Sequence, residues 1–319
     1  MKDAVGVGAL NLDLIYQVKS LKIAGKEFAP GGEIFGGATE FSEVVRQLER
    51  QAKLVGKSGG GSAANCMYAL GNMGFKVGYL GMAGDDEHRE FMLRSMGSVD
   101  TSRVKRFDGT GLAISMVAQE DRSLLILSNS NDWFYVNDDD VAYANESRIV
   151  HMTSFVAAKG LDTQKKMAAS LDKDVVLSFD PGELYARRGI APLKALIERA
   201  DLMFVSDKEV ELLTGKDHIA GCRKLLDMGP ETVVCKMGEK GSTIFTEKEE
   251  IPIDACMAQV VDKTGAGDVY DAGFIAGILK SWPLDTCGEF ASRLAARSIS
   301  RYGREGYPDE SALMEFGED

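Results

Sequence analysis

The stretch "RIVHMTSFVAAKGLDTQKKMAASLDKDVVLSFDPG", residues 148–182, decides the fold class. Two apolar runs flank a helical segment, which is the strand–helix–strand unit of a parallel sheet. The same alternation extends in both directions. "AVGVGAL" (residues 4–10) reads as a buried first strand. "SAANCMYALGNMG" (residues 62–74) reads as a helix with Ser62 as N-cap and Gly74 as its closing glycine. "KVGYLGMAG" and "DEHREFMLRSMG" supply the next strand and helix, and "DLMFVSD" another core strand. "ETVVCKMG" and "STIFTEK" flank a short turn at residues 238–241, which predicts a hairpin at the end of the sheet. The last third reads as helical, over residues 266–280 and 286–302. Glycine and proline are spread evenly, and neither a linker nor an internal repeat is visible. Residues 1–319 are therefore expected to form one large α/β domain.

Two stretches interrupt the alternation. Residues 22–58 hold six glycines and one short amphipathic helix with Phe41, Val44, Val45 and Leu48 on one face. Residues 110–130 read as two strands joined by a polar turn. Both are expected to leave the main sheet, as lid excursions over approximately residues 14–58 and 101–130, because excursions beside a cleft often close over ligands.

Bulk properties exclude several classes. Lys and Arg total 37 against 49 Asp and Glu, a formal charge of −12, which disfavours nucleic acid as a partner. The five cysteines show no CxxC spacing and read as reduced packing thiols. No signal-like or membrane-length apolar run occurs, so no membrane partner and a cytoplasmic location are expected.

The chemistry concentrates in "VVDKTGAGDVYDAGFIAGIL", residues 260–279. Thr264-Gly265-Ala266-Gly267 is small and flexible, and it opens a helix, which makes a ready anion site. A P-loop is excluded, because "VGKS" at residues 55–58 has Gln51 where the first glycine belongs. "GVGALN" at residues 6–11 lacks the third glycine of a dinucleotide fingerprint. Asp268 stands at the mouth of the anion loop. A carboxylate there makes sense if an alcohol must lose its proton while it attacks phosphorus. The alternative is an acid that merely complements the helix dipole, worth about 0.3–1 kcal/mol. A second group combines Asp13, placed at the carboxyl end of the first strand, with Gly60, Gly61 and Asn65 of "GGGSAAN". Such a set suits the vicinal hydroxyls of a sugar, or else forms an ordinary turn acid and flexible loop.

"GGSAAN" and "DKTGAGD" resemble the two signatures of the PfkB/ribokinase family of carbohydrate and nucleoside kinases. "GVGALNLDLIYQV", "GYLGMAGDDEHREFM", "FVSDKEVELLTG" and "CKMGEKGSTIF" are also similar, in the family's order, so the resemblance covers nearly the whole chain. It implies a ribokinase-like three-layer sandwich, with a central mostly parallel sheet and a small β-lid. It implies Asp268 as catalytic base, and Gly265, Ala266 and Gly267 as anion hole. Asp13, Gly60, Gly61 and Asn65 become acceptor contacts; Lys236, Gly238 and Thr264 become nucleotide contacts. Glu209 is linked to magnesium indirectly, and Asp262, with Thr264, to a monovalent cation. Two positions depart from the family pattern: Ser206 stands where Asn is usual, and Lys236 where Thr is common. The long segment before Gly59 is similar to that of nucleoside-kinase members.

The expectation is an ATP- and Mg2+-dependent kinase, with K+ as a further ion, acting on a hydroxymethyl group of a sugar. The alternatives are a nucleoside acceptor, with Phe35, Phe41 and Met116 as lid residues that stack on a base, and a non-catalytic sugar or nucleotide sensor. A homodimer through the lid is expected.

Overall fold

The computed structural model describes residues 1–118 and 121–317. The polar turn expected in the second excursion, at Gln119 and Glu120, lies outside the described residues.

A nine-stranded sheet forms the middle layer. Its order is Glu250–Ile253, Ser242–Thr246, Thr232–Lys236, Leu202–Ser206, Val176–Asp180, Ser147–Thr153, Lys2–Val7, Val77–Ala83 and Val104–Arg106. Every neighbouring pair is parallel except the two that Ser242–Thr246 makes with its neighbours. The expected hairpin is present, and Glu250–Ile253 extends it by one strand that the sequence reading lacked.

Alternation along the strands feeds two separate cores, one on each face. Leu202, Phe204 and Val234 join the core packed with Phe274 and Phe290 of the C-terminal helices Ala266–Leu279 and Leu284–Ser298. Met203, Val205, Val233 and Cys235 join the core formed with helices such as Ala158–Ser170 and Ile190–Arg199. Each fully buried side chain of this size contributes roughly 1.5–3 kcal/mol. A sheet apolar on both faces requires helices on both, and the result is a three-layer sandwich.

The helix Ser62–Asn72 begins differently from the expectation. Gly61, at φ 103°, precedes it, and no side chain caps its first turn. Its C-terminus does close on Gly74 (φ 89°), with Gly74 N donating to Gly71 O and Phe75 N to Leu70 O. This is the Schellman pattern.

A second, five-stranded sheet stands off the first in the order Glu33–Gly36, Asp121–Leu127, Gly111–Ala118, Asn11–Gln17 and Lys53–Gly60. Leu12, Leu14, Tyr16, Ile114, Met116, Leu125 and Leu127 alternate onto one face. Phe41, Val44 and Leu48 of helix Ala38–Gln51 belong to the same buried cluster. The opposite face carries Asn11, Asp13, Ile15, Ala113, Arg122, Leu124, Ile126 and Phe35, by the pairing register. Residues 104–106 fall within the expected second excursion but pair with the edge of the central sheet.

The chain passes between the two sheets near residues 8–10, 61, 107–110 and 128–131. Asn131, fully buried, ties the first and last of these crossings together. Its Oδ1 accepts from Leu10 N at 3.0 Å, and its Nδ2 donates to Leu10 O at 3.2 Å and Asn11 Oδ1 at 2.9 Å.

Candidate active site

The anion loop keeps its sequence-predicted form. Gly265 is the N-cap of helix Ala266–Leu279 and sits in the left-handed region at φ 78°. A Cβ there would lie 2.1 Å from the Tyr307 hydroxyl, so both backbone conformation and space demand glycine. The first amides of this helix have no intrahelical partner and present partial positive charge. Asp268 lies in the same first turn, partly exposed.

Asp268 Oδ2 accepts from Asn65 Nδ2 at 2.7 Å, a contact spanning 203 residues of sequence. Burial pushes the Asp268 carboxyl up to about 6; the Asn65 hydrogen bond opposes this and the Asp180 charge adds to it. The Ser62 hydroxyl also supports the Asp268 carboxylate; Ser62 is the first helical residue, one beyond the N-cap Gly61.

Asp13 reaches this centre from the second sheet. It lies inside Asn11–Gln17, three residues into the lid, and not at the end of the central strand Lys2–Val7 as the sequence suggested. The apolar run at residues 4–10 hid a crossing between sheets. A Cβ on Gly60 would meet the Asp13 carboxylate at 2.2 Å, so glycine at 60 makes room for the acid. Buried Asp13 Oδ1 has no hydrogen-bond partner. Burial pushes this carboxyl up to about 7, against the Arg304 charge and with the Asp268 charge.

Beneath the anion loop lies a second charged group. Lys236, at the end of its strand, donates to Asp180 Oδ2 at 2.9 Å and Asp271 Oδ1 at 2.8 Å. A Cβ on Gly267 would sit 3.4 Å from Lys236 Nζ, so the ammonium lies directly against the loop. Burial draws the Lys236 pKa down, but Asp180, Asp271 and Glu209 outweigh it and hold the pKa well above normal. Burial likewise raises Asp271 and Glu209. Burial would raise Asp180 too, yet Lys236 overrides it and leaves that carboxyl below its usual range.

Ser206, standing where Asn is usual, caps a helix. Its Oγ accepts from Glu209 N at 3.2 Å while Glu209 Oε2 accepts from Ser206 N at 2.7 Å, a capping box that opens helix Asp207–Thr214. Gly238 starts a single 3-10 turn, Gly238–Lys240, beyond Lys236. Asp262 Oδ1 accepts from Thr264 N at 3.0 Å and Oδ2 from Gly303 N at 3.2 Å. Arg122, on the lid, donates to Thr264 Oγ1 at 3.1 Å and so closes the second sheet over the anion loop.

Five of these side chains escaped the sequence reading: Arg122, Asp180, Asp271, Arg304 and Tyr307. Asp271 carried a signal, an acid one turn beyond Asp268 in an otherwise apolar helix. Of the three residues expected to stack on a base, Phe41 and Met116 are buried on the covered face of the lid. Phe35, 38% exposed, stands on the open one.

A helix N-terminus with a carboxylate in its first turn is an arrangement suited to phosphoryl transfer. Residues 34–309 match the family model described as pfkB family carbohydrate kinase. The chain belongs to the pfkB family of carbohydrate kinases. It is 32% identical over 247 residues to an uncharacterized sugar kinase of Archaeoglobus fulgidus, covering 75% of this chain and 98% of the relative. It is 29% identical over 258 residues to a nucleoside kinase of Methanothermobacter thermautotrophicus, covering 77% and 80% respectively. Ribokinase of Arabidopsis thaliana, solved with ribose and ATP, superposes with a TM-score of 0.82 at 22% identity, over 99% of this chain and 98% of that one. Adenosine kinase of Sinorhizobium meliloti gives 0.84 at 20% identity, over 98% and 99%. These likenesses make the fold ribokinase-like, as the resemblance implied. The pfkB chain is a phosphotransferase with an alcohol group as acceptor, a sugar or nucleoside kinase. Among the described residues, no helix is long and apolar enough to cross a membrane.

Proposed function

We propose that Asp268 is the general base that takes the proton of an acceptor hydroxymethyl group as it attacks the γ-phosphorus of ATP. The observation that carries this reading is the Asn65–Asp268 contact. It joins the acceptor side of the cleft to a carboxylate in the first turn of the anion-binding helix. With its pKa lifted to about 6, Asp268 is ionised at neutral pH and a stronger base than a free carboxylate. The amides of Gly265, Ala266 and Gly267, with Lys236 beneath them, stabilise charge on the transferring group, and each well-placed donor supplies roughly 3–4 kcal/mol. Asp13, Gly60, Gly61 and Asn65 hold the acceptor hydroxyls; the free Oδ1 of Asp13 is an acceptor in want of a donor. Gly238 and Thr264 contact the nucleotide.

Among the described residues no group of three or more acids, histidines or cysteines could cage a metal alone. Mg2+ suits that arrangement, because it binds through one or two carboxylates, water and substrate phosphates. Asp180 would hold it, with Glu209 acting indirectly, and it would neutralise charge on the phosphate oxygens. Asp262 and Thr264 keep lone pairs for K+. The four buried free thiols favour a reducing compartment such as the cytoplasm.

The acceptor is a sugar with a free hydroxymethyl group. One observation favours the nucleoside reading. Beyond Asp13 the open lid face turns apolar, through Ile15, Leu124, Ile126 and half-exposed Phe35, a surface suited to a base. A homodimer through the lid would use the edge strand Lys53–Gly60, where Leu54 and Val55 are exposed, because helix Ala38–Gln51 covers the outer face. Acceptor-stimulated ADP release, measured with ribose and adenosine in parallel, tests the reading. Tight binding without turnover would instead indicate a sensor.

A further inference from the structure

Arg304 enters the site from a short 3-10 turn, Gly303–Gly306, near the C-terminus. Its Nε and Nη2 donate to the same atom, Asn65 Oδ1, at 3.1 and 2.9 Å. Its Nη1 donates to Ser95 O at 2.7 Å, and its guanidinium lies 4.5 Å from the centre of the Tyr68 ring. The turn is itself tied to the anion loop through Gly303 N and Asp262 Oδ2. The lid is equally close: a Cβ on Gly59 would lie 3.2 Å from Arg304 Nη1.

A carboxamide has one acceptor end and one donor end, and its two orientations fill the same space. Arginine offers only donors, so it accepts only the oxygen end of Asn65. The donor end must then face Asp268. A flipped amide would set its oxygen against the carboxylate and its NH2 group against the Nε and Nη2 donors of Arg304. We propose that Arg304 is a positioning residue for phosphoryl transfer, locking the Asn65 carboxamide so that its NH2 group steers the Asp268 carboxylate. The proposal rests on Asp268 as base.

The charges around the two carboxylates fit this role. Asp180 and Asp13 face Asp268 as acids, Lys236 and Arg304 as cations, and Tyr79 and Tyr307 as neutral phenols, while Asp262 and Arg122 face Asp13. Arg304 opposes the burial that raises Asp13. Burial lowers the Arg304 pKa as well, but a guanidinium remains charged throughout the working range. Without Arg304, Asn65 loses the contact that fixes which end of its carboxamide faces Asp268, and two carboxylates lose a compensating charge.

The test uses the full chain in two measurements. The first is a carbon-detected titration of the Asp268 carboxyl in the free protein, with no acceptor present. Arg304→Gln should raise its midpoint by roughly half to one pH unit, and Arg304→Lys, which restores charge without the fork, should return it toward wild type. The second is kcat with ATP and whichever of ribose or adenosine supports turnover. Arg304→Gln should lower kcat at least about tenfold, since small misplacements at a reacting centre are costly. That loss should shrink to about twofold in an Asn65→Ala background, because the two residues act as a unit. An unchanged midpoint and kcat in folded Arg304→Gln would overturn the proposal, as would equal losses in both backgrounds. If the Gln variant does not fold, Arg304→Lys carries the same comparison through its kcat loss with and without Asn65. Should Asp268→Asn keep full turnover, the base assignment fails, while the titration still judges the Arg304–Asn65–Asp268 chain by itself.

Discussion

The proposed site has two halves built on different principles. The phosphate half is a helix N-terminus, five consecutive residues from Thr264 to Asp268, backed by a buried lattice of Lys236, Asp180 and Asp271. The acceptor half is one face of a sheet whose strands come from three distant segments of chain. In the first half the donors are backbone amides, nearly indifferent to side-chain identity. In the second, strand register places Asp13, a helix places Asn65, and Gly60 and Gly61 offer only backbone. The contrast teaches where variation can enter. On the proposed roles, chemistry rests on local geometry at the helix end, whereas acceptor choice rests partly on positions of the second sheet away from it.

Substitutions in the phosphate half should give the largest effects. Asp268→Asn should lower kcat by about 10²–10⁴-fold while ATP still binds, as acceptor-dependent ADP release and calorimetry would show. Near-normal turnover would erase the distinction between the halves. Gly265→Ala should lower kcat/KM on the order of 10²-fold, since the added methyl meets the Tyr307 hydroxyl and the left-handed backbone disfavours it. Removing that hydroxyl in a Gly265→Ala/Tyr307→Phe pair should restore part of the rate; no recovery would place the whole cost in the backbone.

Effects in the acceptor half should be smaller and should appear in KM. Phe35→Ala should raise KM for adenosine about 5–10-fold and leave KM for ribose unchanged, in steady-state assays. An equal change for both acceptors would show that the ring supports the lid and does not sort ligands.

The smallest effect separates stability from activity. Asp13 is protonated more readily in the folded protein, near pH 7, than in the unfolded chain near 3.8. A raised carboxyl pKa means that the folded state binds more protons between those values. Stability from this group is therefore greatest below pH 4 and falls as pH rises through 7. Asp13→Asn should raise Tm at pH 8, on the order of 2 °C, with the gain vanishing near pH 4. Scanning calorimetry at the two pH values checks this; equal shifts at both would mean that charge is not the cause. Activity runs the other way, since Asp268 must be ionised, and kcat/KM should decline as pH falls through about 6.

The unequal legibility of the two halves follows from the same physics. Thr264 to Asp268 are contiguous, and their role depends on a loop meeting a helix, which periodicity and glycine content reveal. The alternating strands were likewise visible, because a sheet buried on both faces needs unbroken apolar runs. Asp180 and Arg304 were not visible, since only tertiary topology brings residues 180, 236 and 271, or 65 and 304, together. Asp13 was assigned to the wrong strand because the apolar run of residues 4–10 continues through the crossing at Gly8, Ala9 and Leu10. The stacking role expected of Phe41 and Met116 failed for a related reason. Alternation marks two faces of a strand, but only the docking of helix Ala38–Gln51 determines which one is covered.

Asn131 grips Leu10 and Asn11 where the first and last of the chain crossings meet. Asp13 lies two or three residues from that clasp, whereas Arg122 lies at the opposite end of the second sheet. A clasp so placed ties the buried acid to the frame of the central sheet, independently of what the far end of the second sheet touches.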